Sequence, residues 1–287
     1  MVQETIKDLV PLFIKHLEAK KRSNSTIIAY QADLQQLADY LAKNNKTALE
    51  SIRSDDIDSF KQHLLNQKYT TKSVSRKLNA IKTFFRWLVT EKKITVSPAE
   101  SVKHPKISSS APKFLSPLEY RALRDLVRDD LRIAAIVEIV LQTGMRISEV
   151  ANLKMDDIKD TEIIIREYAT QPERKIPLNH PAKEALNRYL SVRPKSSTDN
   201  IFVSKTGKPL AVRNIRAAID RYMQKAEMPQ YSVNDLRTTF IIENLKNKVD
   251  LITLSRIVGH KRLSTTERYL ELAGVTEPGK KQTLVEL

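Results

Sequence analysis

Four short segments in the second half of the chain hold polar groups that helix formation alone does not require. Thr143-Gly-Met-Arg-Ile-Ser-Glu149 ends one helical pattern at Gly144, starts another near Ser148 and leaves Arg146 in the corner. Asn234-Asp-Leu-Arg-Thr-Thr239 opens a helical pattern and offers Arg237. Ile257-Val-Gly-His260 ends one at Gly259, which sets His260 at a turn, and Ser264-Thr-Thr-Glu-Arg-Tyr269 follows with Tyr269. Residues of these types could serve phosphodiester cleavage. Breaking a phosphodiester without a metal needs a nucleophile, positive donors for the non-bridging oxygens and a proton for the departing oxygen. Arginine forks match phosphate oxygens better than a lysine's point charge does. A tyrosine hydroxyl can attack phosphorus once a positive field or a base offsets its ordinary pKa of about 10. Singly these residues say little, since a lone tyrosine among nine is more often a core or surface residue.

The composition fits a polyanionic partner. The 287 residues include 49 Lys and Arg against 34 Asp and Glu, a net charge of +15 and a pI near 9.8. The excess is shared: residues 1–110 hold 19 basic and 11 acidic side chains, and the remainder 30 and 23. Cysteine is absent, which excludes disulfides, thiolate metal sites and cysteine nucleophiles. The five histidines stand far apart, so no metal is expected. No run of about eighteen apolar residues and no signal-peptide pattern occurs, and a soluble cytoplasmic protein is expected.

These residues need elements to position them, and helical periodicity dominates the first hundred residues. Leu9, Phe13 and Leu17 mark one helix; a second is expected from an N-cap at Ser25, with Ile27, Tyr30, Leu34, Leu37 and Leu41 along one side. A third runs from about Ser54 to Gln67. A fourth, from about Thr71 to Glu91, turns Val74, Leu78, Ile81, Phe85 and Leu88 inward. Its other side stacks Lys72, Arg76, Asn79, Thr83 and Arg86 into a stripe that is either solvated or tracks phosphates. Prolines and serines between Ser97 and Pro117 read as a linker. Beyond it, helices are expected over Leu118–Val127, Leu131–Gln142, Pro181–Val192, Val212–Glu227, Ser232–Asn247, Leu251–Val258 and Ser264–Leu272. A β-hairpin pairs Glu162–Tyr168 with Arg174–Leu178. The fold class is therefore mainly α with one small hairpin.

Taken together, the four segments resemble the tyrosine recombinase (phage integrase) family, in particular its compact Xer-like members. The family's Thr-Gly-x-Arg-x-Ser-Glu, His-x-Leu-Arg-His-Thr-Phe, Leu-Gly-His and Ser-Thr-Thr-x-x-Tyr blocks correspond, in order, to Thr143–Glu149, Asn234–Phe240, Val258–His260 and Ser264–Tyr269. The N-terminal helices resemble the family's SAM-like core-binding domain, so the resemblance covers nearly the whole chain. It implies a DNA-binding domain over 1–106, a linker over 107–116 and a catalytic domain over 117–287, closing on duplex DNA as a C-shaped clamp. It also implies Tyr269 as nucleophile, Arg146, Arg237 and His260 around the phosphate, a 3′-phosphotyrosyl intermediate and no metal or cofactor. A homotetramer on synapsed DNA is implied as well, with C-terminal tails docked on neighbouring subunits. Lys72, Arg76 and Arg86 become expected DNA contacts.

Two positions depart from the family pattern. Asn234 stands at the catalytic position where a histidine is usual; an amide there can hydrogen-bond but cannot transfer a proton at neutral pH. Aligning Glu173-Arg-Lys-Ile-Pro-Leu178 puts Ala169 where the family's hairpin lysine protonates the leaving 5′-oxygen. Strand alternation makes neither Arg174 nor Lys175 an obvious substitute. The first reading is a site-specific recombinase that resolves dimers or cointegrates or serves a mobile element. The second is a DNA-binding protein of the same fold with weakened chemistry, and a type IB topoisomerase is third.

Overall fold

The computed structural model describes residues 4–107, 111–168, 171–275 and 279–287. The chain divides into two compact units, Met1–Ser110 and Ala111–Leu287, each with its own apolar core.

The first unit is built from helices α1 (Ile6–Ala19), α2 (Asn24–Lys43), α3 (Ser54–Asn66) and α4 (Thr71–Thr90). Thr5 caps α1 through a reciprocal box with Asp8, and Thr70 caps α4 by accepting the Ser73 N–H. The cap of α2 is Ser23, two residues before the expected Ser25. Ser23 keeps an extended backbone and its hydroxyl accepts the Thr26 N–H at 3.3 Å. In a run of several possible caps, the residue whose side chain reaches the third helical N–H sets the start. Phe13, Leu34, Leu37, Phe60, Phe84, Phe85 and Leu88 fill the core, with the Phe13 and Phe84 rings edge to face at 5.3 Å. Ala99 and Val102 are buried in the same core, so the first half of the expected linker is packed against the helices.

The second unit contains α5 (Pro117–Val127), α6 (Leu131–Thr143), α7 (Ile147–Asn152), β1 (Glu162–Ile165) and β2 (Arg174–Pro177). After these come α8 (His180–Leu190), α9 (Val212–Lys225), α10 (Val233–Lys246), α11 (Leu251–Val258), α12 (Leu263–Glu267) and α13 (Leu270–Ala273). Leu115 is buried in this unit and its N–H bonds the Thr239 hydroxyl, so the unit begins ahead of α5. Helix α6 is apolar on nearly every side and packs on both α8 and α10. The two strands form an antiparallel hairpin with Glu162 opposite Pro177 and Ile165 opposite Arg174. The first strand is shorter than expected: Arg166 leaves the ladder to pair with the buried Asp157, and an antiparallel bridge joins Tyr168 to Gln171. Ala169 lies outside the described residues.

The helix expected over Ser264–Leu272 is two short ones. The Tyr269 N–H bonds back three residues to Thr266 at 3.0 Å, which tightens the turn and places Tyr269 between α12 and α13. Among the described residues no helix is long and apolar enough to cross a membrane. The tail residues 279–287 lie along their own unit. Gly279 and Lys281 bridge in parallel to Asp250 and Val249, and the buried Asn244 accepts the Val285 N–H at 3.0 Å.

Candidate active site

The site is assembled around the C-terminus of α11. The last carbonyls of a helix have no intrahelical partner and form the negative end of its dipole, so cations gather there. Here three consecutive carbonyls each take one guanidinium. Arg174 Nε donates to Ile257 at 2.9 Å, Arg237 Nη2 to Val258 at 2.7 Å and Arg146 Nη2 to Gly259 at 2.5 Å. The three arginines come from β2, α10 and the α6–α7 corner, which draws four parts of the unit onto one point.

Two glycines allow that approach. Gly144 ends α6 at φ +61°, and a Cβ there would stand 2.4 Å from Phe240, one turn beyond Arg237 on α10. The buried Thr143 completes the corner by accepting the Met145 N–H, and Arg237 also donates to the Gly144 carbonyl. Gly259 ends α11 at φ +70°, and a Cβ there would meet the Arg174 guanidinium at 2.9 Å. Any other residue would be strained in this left-handed conformation and would push Arg174 away.

Glu149 ties the arginines together. Its carboxylate accepts from Arg146 Nη1 at 2.9 Å, from the Arg146 N–H at 2.8 Å and from Arg174 Nη2 at 2.7 Å. Burial alone would raise its pKa, but Arg174 and then the Arg146 contacts outweigh this and hold it below the usual range. Glu149 is therefore a fixed carboxylate and not a proton carrier. Arg237 is half-buried, and its desolvation, reinforced by the like charge of Arg146, draws its pKa down to about 9. It remains charged at neutral pH.

His260 follows the α11 cap. Its Nδ1 lies 2.8 Å from the hydroxyl of the fully buried Thr266, and its ring stacks on Tyr269 with centroids 6.2 Å apart and planes 11° from parallel. Burial, then Arg237, Arg146 and Arg174, push its pKa down to about 4, so the imidazole is neutral at physiological pH. Arg146, Arg237, His260 and Tyr269, remote in sequence, thus share one neighbourhood. Asn234 occupies the first turn of α10 with its side chain exposed. Among the described residues, its amide makes no hydrogen bond. Lys175 points away from the cluster and binds Glu162 at 2.7 Å. Among the described residues, no group of three or more His, Cys, Asp or Glu could hold a metal ion. The site can present a nucleophilic hydroxyl beside a neutral imidazole and fixed positive forks, the equipment for phosphoryl transfer.

Sequence reasoning missed Arg174, Glu149 and Thr266 as members of this neighbourhood. Glu149 and Thr266 stand inside the quoted motifs, whose arginine and tyrosine are the residues with evident chemistry. Arg174 was legible only as one face of β2, because the geometry of Gly259 that admits it is a tertiary fact.

The sequence matches the phage integrase family over residues 113–274 and the N-terminal SAM-like domain of phage integrases over residues 10–92. The chain belongs to the phage integrase family. The tyrosine recombinase XerC of Staphylococcus saprophyticus is 31% identical over 259 residues, 87% of each chain. XerC of Roseiflexus sp. is 27% identical over 281 residues, covering 93% of this chain and 90% of the relative. The integrase fold is also that of a lambda integrase tetramer bound to a Holliday junction, with a TM-score of 0.78, 17% identity and coverage of 98% and 82%.

The stripe on α4 belongs to the SAM-like unit. Lys72, Arg76 and Arg86 are all exposed, but Arg76 is also pinned. Its guanidinium grips the buried Asp33 at 2.5 and 2.9 Å, and Lys77 adds a third contact at 2.8 Å.

Proposed function

We propose that this integrase is a tyrosine-type site-specific recombinase that cuts and rejoins duplex DNA in the cytoplasm. In this reading the Tyr269 hydroxyl attacks a backbone phosphorus, the bond to the 5′-oxygen breaks, and a 3′-phosphotyrosyl link and a free 5′-hydroxyl form. The bond energy is retained in the ester, so the 5′-hydroxyl can attack back and rejoin the strand without a nucleotide cofactor. Arg146 and Arg237 neutralise charge on the non-bridging oxygens and His260 donates to the same phosphate. The observation that carries this reading is the gathering of Arg146 and Arg237 on the α11 carbonyls beside the stacked His260–Tyr269 pair. The carbonyls hold, before substrate arrives, the donors that a phosphate would take.

The XerC relatives and the lambda integrase tetramer support extending the proposal to DNA recombination sites and a homotetrameric assembly. The SAM-like unit then contacts DNA through Lys72, Arg76 and Arg86, and the second unit engages the same duplex. Trapping on a nicked duplex, whose cut end diffuses away after cleavage, tests the chemistry. The wild-type chain should form a covalent protein–DNA adduct, and Tyr269→Phe should bind equally well and form none. A Phe variant that still forms the adduct would assign the nucleophile elsewhere. A wild-type chain that binds and never forms it would be a DNA-binding protein of this fold.

A further inference from the structure

The Thr266 hydroxyl differs from those of five other helical threonines. Thr83, Thr90, Thr143, Thr238 and Thr239 each return their hydroxyl proton to the carbonyl four residues back. Thr266 does not. Its side chain is fully buried, and its hydroxyl partner among the described residues is His260 Nδ1 at 2.8 Å. A buried hydroxyl proton needs an acceptor. If Nδ1 carried a hydrogen, it would donate to the Thr266 oxygen, and the Thr266 proton would have no acceptor among the described residues. If Nδ1 is the acceptor, both groups are satisfied and the ring's single hydrogen sits on Nε2.

We propose that Thr266 is a positioning residue that fixes His260 as its Nε2–H tautomer, making the imidazole a hydrogen-bond donor to the scissile phosphate and not a proton acceptor. The part that concerns the phosphate rests on the recombinase reading; the tautomer does not. The ring has no second hydrogen to confuse the assignment. The groups facing it are cationic or neutral: Arg237 from α10, Arg146 from the α6–α7 corner, Arg174 from β2, Thr266 from α12 and the Tyr269 ring. The stack on Tyr269, with planes 11° apart, leaves the ring edge as the route for Nε2 to reach a ligand. Position 266 therefore acts on the reaction through His260, at one remove from the reacting atoms.

The test is nitrogen-15 NMR of the full-length chain labelled on histidine, with His260→Gln used to assign the resonance. Near neutral pH and without DNA, Nε2 should show the shift of a protonated nitrogen and Nδ1 that of an acceptor. Thr266→Val, which keeps the shape and removes the hydroxyl, should shift the ring toward Nδ1–H or a mixture. Thr266→Ser should restore the wild-type pattern. On a nicked duplex, Thr266→Val should slow adduct formation about tenfold, the equivalent of one ordinary hydrogen bond, with DNA affinity unchanged and the rate restored in Thr266→Ser. A wild-type ring with its hydrogen on Nδ1 overturns the proposal, as does a Thr266→Val spectrum identical to wild type. The wild-type spectrum decides the tautomer even if Thr266→Val fails to fold. It also does so if the wild type never cuts DNA, a result that would count against the recombinase reading alone.

Discussion

At the scale of single residues the site is a set of positive forks around a hydroxyl, and charge alone does not describe it. Arg146 makes two directed bonds, to Glu149 and the Gly259 carbonyl, and Arg237 two more, to Gly144 and Val258. A lysine keeps the charge and loses the fork. Arg146→Lys and Arg237→Lys should each slow adduct formation at least ~100-fold, taking one charge-stabilising donor as about 3 kcal/mol, with a much smaller change in a gel shift. Near-wild-type cleavage from either would remove that arginine from the site. His260 gives a pH signature. Its pKa is lowered from 6.5 to about 4, so the neutral ring persists as pH falls through 6.5. The corresponding stability is complete above 6.5 and is lost as pH falls toward 4. The cleavage rate should therefore show no inflection near 6.5; an inflection there that disappears in His260→Gln would show a histidine titrating normally. The leaving oxygen provides a third test. Glu162 binds Lys175 and raises its pKa, leaving it poorly placed to supply a proton. Lys175→Ala should cleave a natural duplex within about twofold of wild type, the size of a typical exposed ion-pair effect. A duplex with sulfur as the bridging 5′ atom, whose departure needs no proton, should be cleaved much faster than the natural one. Equal rates on the two substrates would mean that an efficient acid is already in place.

At the scale of elements, the helix ends make the site. The C-terminus of α11 gathers the arginines, the α6 cap turns the chain to present Arg146, and the break between α12 and α13 presents Tyr269. The periodic parts of this arrangement were legible in the sequence. The helix Leu251–Val258 has the bounds its pattern predicts, and the inward face of α4 at Val74, Leu78, Ile81, Phe85 and Leu88 is buried as expected. Apolar spacing reports burial, and burial dominates helix formation in a folded chain. Local competition was harder to read. Ser23 outcompetes Ser25 as a cap because one hydroxyl reaches the Thr26 N–H, and α12 ends at Glu267 because one hydrogen bond spans three residues instead of four. The motifs made Arg146, Arg237, His260 and Tyr269 readable as a set, while Arg174 depended on a contact between β2 and Gly259. That contact makes its own prediction. In Gly259→Ala, the strained left-handed backbone should cost about 1–2 kcal/mol of stability. The new Cβ, 2.9 Å from the guanidinium, should also displace Arg174 from Glu149 and loosen Arg146. Adduct formation should then fall about tenfold or more at a temperature where the variant remains folded, because misplacing groups near the reaction slows it steeply. A variant that loses stability and keeps its cleavage rate would show that Arg174 does not support Arg146.

At the scale of the whole molecule the relevant quantity is the distribution of charge. The net charge of +15 is nearly even, with residues 1–110 and the remainder each carrying about half, which suits a protein that engages DNA with both units. Such a protein must neutralise several phosphates and release their counterions, so affinity should fall steeply with salt. A gel-shift series between ~50 and ~200 mM salt should show a loss of at least ~100-fold, and a nearly flat dependence would sink the two-unit grip. The α4 stripe divides that slope further. Lys72 and Arg86 are exposed, and neither makes an ion pair with another described residue, so Lys72→Glu and Arg86→Glu should each lower the slope by about one phosphate contact and leave the melting temperature unchanged. Arg76 differs because Asp33 is buried beneath it. Arg76→Glu sets a second carboxylate against a buried one, with Lys77 as the remaining described cation on Asp33, and the first unit should lose stability as well as affinity. Arg76→Gln avoids the added charge, so it should keep more stability while lowering the salt slope as much as Lys72→Gln does. If Arg76→Gln leaves the slope at its wild-type value while Lys72→Gln lowers it, Arg76 serves to fasten α4 to Asp33, and only the flanking cations reach the DNA.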